Sequence, residues 1–245
     1  MVVFSIKCDF KLRLGEISTM STSKKLVFGM GINDSAYVTQ YTHYLEGRKV
    51  YWICPFYSRW KSMLERVFSK IDLERNPTNI GNSISEEWLK FSNFRAWMEK
   101  QPWDQGKLEL DKDILVLGNK TYSKDTCAFV PHYLNSLFLR KQRFRGDYPL
   151  GVNKRSGKAN YSKPLTASIS STSKQGKRKR IHLGYFSDTR LAHKAWQIAK
   201  MKEICIVLNK YKQDPSYQEN VYRAIESRIS LLNLQVEQGV ETTII

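Results

Sequence analysis

What the chain lacks narrows it first. Only four of its 245 residues are cysteine (Cys8, Cys54, Cys127 and Cys205), and no two stand at Cys-x-x-Cys spacing. The four histidines are scattered too, so a structural zinc cluster is not expected. Few, unpaired thiols fit an intracellular, reducing location. The apolar runs are too short to cross a bilayer. Met1 to Ile6 leads into Lys7, Asp9 and Lys11, unlike a signal peptide. Acids are the other shortage: 23 Asp and Glu stand against 40 Lys and Arg, for a net charge of +17. From Arg140 to Arg180 there are 13 basic residues and one acid, Asp147. Solubilising surfaces mix signs, whereas a one-signed stretch interleaved with Tyr and Ser points to a polyanion. No basic amphipathic helix with an apolar aromatic face coincides with it, so nucleic acid is expected rather than a membrane.

What is present argues for a folded chain. Apolar residues make up 41% and aromatics 12%, enough for two small domains with real cores. Residues 1–24 read as a leader, and residues 25–34 as a glycine-bent strand or loop. Pro55 opens a helical run with Phe56, Trp60, Met63, Leu64, Val67 and Phe68 at three- and four-residue spacing. Ser83 and Glu86 have capping-box spacing. They are expected to open a second helix carrying Trp88, Phe91, Phe94, Trp97 and Met98.

Residues 108–137 come next. Leu108 to Val116 is an apolar run broken by Asp111 and Asp113, read as one strand. Gly118-Asn119 and Tyr122-Ser123 mark a loop, Cys127 to Val130 a second strand, and Pro131 the first turn of a short helix. On one strand, Asp111 and Asp113 share a face. With Asn135 from the helix they could supply hard oxygen ligands to Mg²⁺ or another divalent cation. The same residues also fit a hairpin whose aspartates are solvated or pair with Lys112 and Lys120.

The phrases Leu110-Asp111-Lys112-Asp113-Ile114, Gly118-Asn119-Lys120, Tyr122-Ser123 and Cys127-Ala128-Phe129-Val130-Pro131 resemble a group of phage-encoded HNH-type homing endonucleases. The likeness extends over residues 25–138. It implies a ββα-metal unit packed on N-terminal helices, a metal-dependent DNA endonuclease, and residence in the host cytoplasm. Matched by position, Asp113 stands where that family has its general-base histidine, Thr126 where it has a middle asparagine, and Asn135 where it has a helix ligand. The resemblance therefore implies Asp111, Asp113 and Asn135 as metal ligands. The base is Asp113 or His132, which lies three residues before Asn135. Loss of the histidine and asparagine leaves a second reading open, a non-catalytic DNA-binding regulator.

Residues 139–148 read as a basic linker and residues 149–212 as a second unit. Leu165 to Ser170 and Arg180 to Phe186 are strands around a Ser-, Gly- and Lys-rich turn. Thr189 to Asn209 is a helix whose apolar stripe includes Leu191, Ala192, Ala195, Trp196, Ala199 and Ile206. The whole is thus α+β: a strand–strand–helix unit, then a three-stranded antiparallel sheet with one covering helix. Alternation puts Ser168 and Ser170 on one face, with Ala167 and Ile169 on the other; it likewise separates Arg180 and His182 from Ile181 and Leu183. Gly151-Val152, Arg180-Ile181-His182-Leu183-Gly184-Tyr185-Phe186 and Ala192-x-x-Ala195-Trp196 resemble an AP2-type DNA-binding domain. That resemblance implies a sheet face in the major groove of double-stranded DNA. It would carry Asn153, Arg155, Ser168, Ser170, Arg180 and His182. Lys154, Lys158, Lys163, Lys174, Lys177, Arg178 and Lys179 are candidates for phosphate contacts. In residues 213–245, Tyr217, Val221, Ile225, Ile229 and Leu232 continue a helix. It is expected to pack on the second unit or mediate association, and to end in a tail.

Overall fold

The computed structural model describes residues 26–138, 147–157, 160–172 and 178–245. The leader, most of the linker, Lys158, Lys174 and Lys177 lie outside these residues. The architecture is α+β, with six α-helices and four small sheets among the described residues.

A hairpin of β1 (Gln40–Leu45) and β2 (Arg48–Ile53) precedes the first helix. It closes at Glu46-Gly47, both with positive φ. Helix α1 (Pro55–Phe68) starts with proline, whose missing N–H costs nothing there. It buries Tyr57, Trp60, Met63, Leu64 and Val67. Trp60 Nε1 donates to Trp88 O at 2.7 Å, which satisfies the buried indole's one polar group. The short α2 (Lys70–Arg75) follows. Gly31 meets α1 so closely that a Cβ there would lie 2.3 Å from Leu64 Cδ1.

The expected second helix is corrected. Ser83 and Ile84 form β3, Glu86–Leu89 is a 3₁₀ turn, and α3 (Phe91–Met98) begins only after Lys90. Two contacts override the capping box. Ser83 Oγ is engaged by Thr121 Oγ1 at 2.9 Å. Ile32 bonds to both Leu89 O and Phe91 N, which holds Lys90 extended. Phe91, Phe94 and Met98 still reach the aromatic core as expected.

Next come β4 (Leu108–Asp111), β5 (Thr121–Tyr122), β6 (Ala128–Pro131) and α4 (His132–Phe138). β5 pairs with β3, and β4 lies antiparallel to β6 with Leu110 opposite Phe129 and Asp111 opposite Ala128. The expected strand to Val116 stops at Asp111, because the Asp111 carboxylate accepts the N–H groups of Asp113 and Ile114 and turns the chain. Asp113 therefore sits in a turn and shares no strand face with Asp111. Pro131 ends β6, and the helix starts at His132. Leu108, Leu110 and Phe129 enter the N-terminal core; Ala128 and Val130 enter a second core with Leu134 and Leu137 of α4. Glu109 and Asp111 share that second, helix-facing side.

Strands β7 (Val152–Lys154), β8 (Leu165–Thr172) and β9 (Arg178–Phe186) form an antiparallel sheet in that order. Helix α5 (Thr189–Tyr211) covers it, capped by Asp188, whose carboxylate accepts from Arg190 N and Leu191 N. Val152, Leu165, Ala167 and Ala192 pack together, beside Leu150, Ile169 and Trp196.

Beyond the sheet, α5 changes partners. Ile204, Leu208 and Tyr211 join the second core, together with Val221, Ile225 and Leu232 of α6 (Glu219–Gln238). Helix α6 thus packs on α5 and on the β4–β6–α4 unit, so one apolar core crosses the expected division at residues 139–148. The stripe expected on α5 is also corrected. Leu191 is 56% and Ile206 70% exposed, while His193, Gln197, Lys200 and Glu203 are buried. These polar groups are satisfied: Gln197 donates to Val240 O and Thr242 Oγ1, and Lys200 to Leu137 O. The expected tail is built in, with Thr242 and Ile245 buried.

Candidate acidic centre and basic sheet face

The turn after β4 is held from several sides. Asp111 Oδ1 accepts from Asp113 N at 2.8 Å and Ile114 N at 2.7 Å. Asn119 Nδ2 donates to Lys112 O at 2.6 Å. Arg228 Nη2 donates to Asp113 O at 2.7 Å and Ile114 O at 2.9 Å. Three successive carbonyls and two N–H groups are thereby committed.

Burial first, and then the charge of Asp113, push the Asp111 carboxyl up to about 7. Asp113 is half-exposed and has Lys112 Nζ at 3.4 Å. Two adjacent hard carboxylates, one of which holds a proton to neutral pH, suit a divalent cation that would take the proton's place. Among the described residues no three of His, Cys, Asp and Glu converge as a metal cluster. A two-carboxylate set suits Mg²⁺, which commonly keeps water and substrate phosphate as its other ligands.

The remaining expected groups meet at Glu109, which the sequence reading missed. Glu109 Oε1 is 2.8 Å from His132 Nδ1, and Oε2 accepts from Asn135 Nδ2 at 2.6 Å. Burial raises the Glu109 carboxyl, but the hydrogen bonds from His132 and Asn135 outweigh it and hold the group below its ordinary value. Asn135 is thus tied to Glu109, with no contact to Asp111 or Asp113 among those described. The signal for Glu109 was its position, two residues before Asp111 and so on the same strand face. Thr126, at the family's asparagine position, donates Oγ1 to Thr121 O at 2.7 Å. The loop is bridged instead by Asn119, which donates to Lys112 O and Thr121 O and accepts from Thr121 N.

The second feature is the outer face of the β7–β9 sheet. Register places Asn153 beside Thr166, Ser168 beside His182 and Ser170 beside Arg180. Between the Ala167–Gly184 and Ser168–His182 pairs, Leu183 is an extra residue on β9; this bulge shifts the alternation of β9, so Tyr185 joins this face opposite Thr166. The Arg155 guanidinium lies 3.6 Å from the Tyr161 ring centroid and 4.1 Å from that of Tyr185. The His182 ring lies tilted against Tyr185, with centroids 4.6 Å apart, and bonds Thr166 Oγ1 at 3.1 Å. Ser168 is buried and accepts from Arg180 Nε at 2.9 Å, so it aims the arginine. Lys154 and Lys179 are exposed but fall, by alternation, on the opposite side from Arg180; Lys163 is exposed in the loop before β8.

Comparison with protein-family models, curated proteins and solved structures finds no match for this chain.

Proposed function

We propose that this chain is a metal-dependent DNA endonuclease that grips duplex DNA with the basic β7–β9 face. The observation that carries the reading is the clustering on the helix-facing side of β4. Glu109 there holds His132 and Asn135, and Asp111 meets Asp113 two residues further on. With Nδ1–H of His132 donating to Glu109, the neutral ring leaves Nε2 to accept a proton from water. Glu109 fixes the tautomer and orientation. Asp111 and Asp113 would hold the divalent cation. When bound, it supplies Lewis-acid stabilisation of the departing oxyanion. On the outer sheet face, Arg155, Arg180, His182 and Asn153 offer donors suited to base edges and phosphates of a major groove that admits strands.

The test is incubation of the purified chain with supercoiled and linear duplex DNA, with and without Mg²⁺. Mg²⁺-dependent cuts, lost in Asp113→Ala, support the reading. Tight binding without cuts at several pH values and metals would favour a non-catalytic DNA-binding protein. One contact already favours that second reading: Asp111 Oδ1 is spent capping the turn.

A further inference from the structure

We infer that Arg228, on α6, is a positioning residue that holds the Asp111–Asp113 turn in cation-binding shape. The inference rests on the proposed role of those carboxylates. Arg228 is 4% exposed, and a guanidinium is buried at a net loss unless it is well bonded. Its Nη2 reaches two consecutive carbonyls, Asp113 O and Ile114 O, across more than a hundred residues of sequence. Its guanidinium lies over the Phe138 ring of α4 at 4.2 Å.

The contacts divide the turn between three donors and acceptors. Asp111 takes the N–H groups of Asp113 and Ile114, Asn119 takes the Lys112 carbonyl, and Arg228 takes the next two. The first two are local, so a detached β4–β6 hairpin would keep them. Ile114 is also packed in the second core, but among the described hydrogen bonds to the turn only those of Arg228 come from a distant segment of the fold. Around it, Gln218 Nε2 donates to Phe129 O at 2.8 Å, and Tyr133 Oη to Asp214 at 2.7 Å. The segment from Asp214 through α6 therefore seats on both β6 and α4 and delivers Arg228 to the turn. A rotation of either peptide at 113 or 114 would swing the Asp113 carboxylate away from Asp111, and a misplacement of about 1 Å can cost 10²-fold in a catalysed step.

The experiment uses the full chain with Arg228→Met and Arg228→Lys; Mn²⁺ alone is the probe, titrated by electron paramagnetic resonance. Amide exchange at Asp113 and Ile114, DNA affinity, kcat and KM are read alongside. Expected are an at least tenfold loss of Mn²⁺ affinity in Arg228→Met and faster exchange of the two amides. The kcat falls with KM for DNA unchanged, and Arg228→Lys is intermediate. A purely structural role would alter DNA binding and stability but spare the kcat-against-KM split. Should Arg228→Met fail to fold, Arg228→Lys decides alone. Parent-like Mn²⁺ affinity in the folded variants overturns the inference. A parent chain that takes up no Mn²⁺ overturns both it and the endonuclease reading. Mn²⁺ uptake that Arg228→Lys weakens, in a parent that cuts no DNA, sinks the endonuclease reading alone.

Discussion

His132 and Glu109 meet edge to edge, Nδ1 to Oε1 at 2.8 Å, although 23 residues separate them. β4 brings the glutamate and α4 the histidine, and the second carboxylate oxygen takes Asn135. If His132 is the base, Glu109→Gln should lower kcat by about 10²-fold, the scale of one oriented acid–base group, with DNA affinity within twofold of the parent. Steady-state kinetics beside a binding titration check this. Unchanged kcat would move the base elsewhere, to Asp113 first.

Arg180 is held by Ser168, and His182 by Thr166. Arg180→Ala should weaken DNA binding by about 1–3 kcal/mol if it contacts a base edge, and should flatten the salt dependence by about one ion if it contacts a phosphate. Anisotropy titrations over a series of salt concentrations separate the two. Ser168→Ala, which removes only the arginine's anchor, should have the smaller effect. An Arg180→Ala variant that binds like the parent at every salt concentration would remove this face from the interface.

Gly151 has φ +78°, and a Cβ there would lie 1.9 Å from Trp196 Cδ1. Alanine must therefore adopt a left-handed backbone and displace a buried indole. The two costs together, about 1 kcal/mol for the backbone and about 1–3 for overpacking, should appear as a lower melting temperature. Gly157→Ala is the comparison: its φ of +124° also strains an alanine, but its Cβ would meet the far end of Tyr161, with Oη at 2.7 Å, rather than a buried indole, so the overpacking part of the loss should be smaller.

The C-terminal segment is fastened at His193, which accepts Thr242 N–H at Nε2 while Nδ1 bonds to Leu150 O. Burial, the largest cause, lowers the ring's proton affinity. The unfolded chain then binds the proton more readily. The stabilisation is complete above the ordinary histidine value of about 6.5 and is lost as pH falls through the lower folded value. Melting curves from pH 5 to 8 should show this dependence in the parent and lose it in His193→Gln.

The parts legible in the sequence were those set by local period. α1 follows from its spaced aromatics, and the split of Ser168 and Ser170 from Ala167 and Ile169 follows from alternation. The β1–β2 hairpin was missed because Tyr44 and Tyr51 are exposed and only its far end, Trp52 and Ile53, packs on the core, so no full-length alternating apolar face marks it; the Glu46-Gly47 turn was the available cue. The second core was not readable, since α5 buries His193, Gln197, Lys200 and Glu203 where a periodicity argument seeks apolar residues. Glu109 was readable from its two-residue offset, but Asp113 drew attention by matching a family position and then proved to be off the strand. The Arg228 contact joins positions 228 and 113 and has no local signature.

The last prediction concerns the Asp111–Asp113 pair itself. In the cation-free protein the Asp111 carboxyl is pushed up to about 7, by burial first and by Asp113 second. Its ordinary value is about 3.9, so the folded chain holds this proton more tightly than the unfolded one. That contribution to stability is complete below the ordinary value and is lost as pH rises through about 7. A divalent cation binds the deprotonated pair, so added Mg²⁺ should raise the melting temperature at pH 8 and do little at pH 6. Asp111→Asn, which cannot deprotonate, should lose both the downward trend with pH and the Mg²⁺ effect, while His193 still lowers stability on the acid side. Equal Mg²⁺ stabilisation at pH 6 and pH 8 would mean that the ion binds elsewhere, and the two aspartates would then serve only to shape the turn.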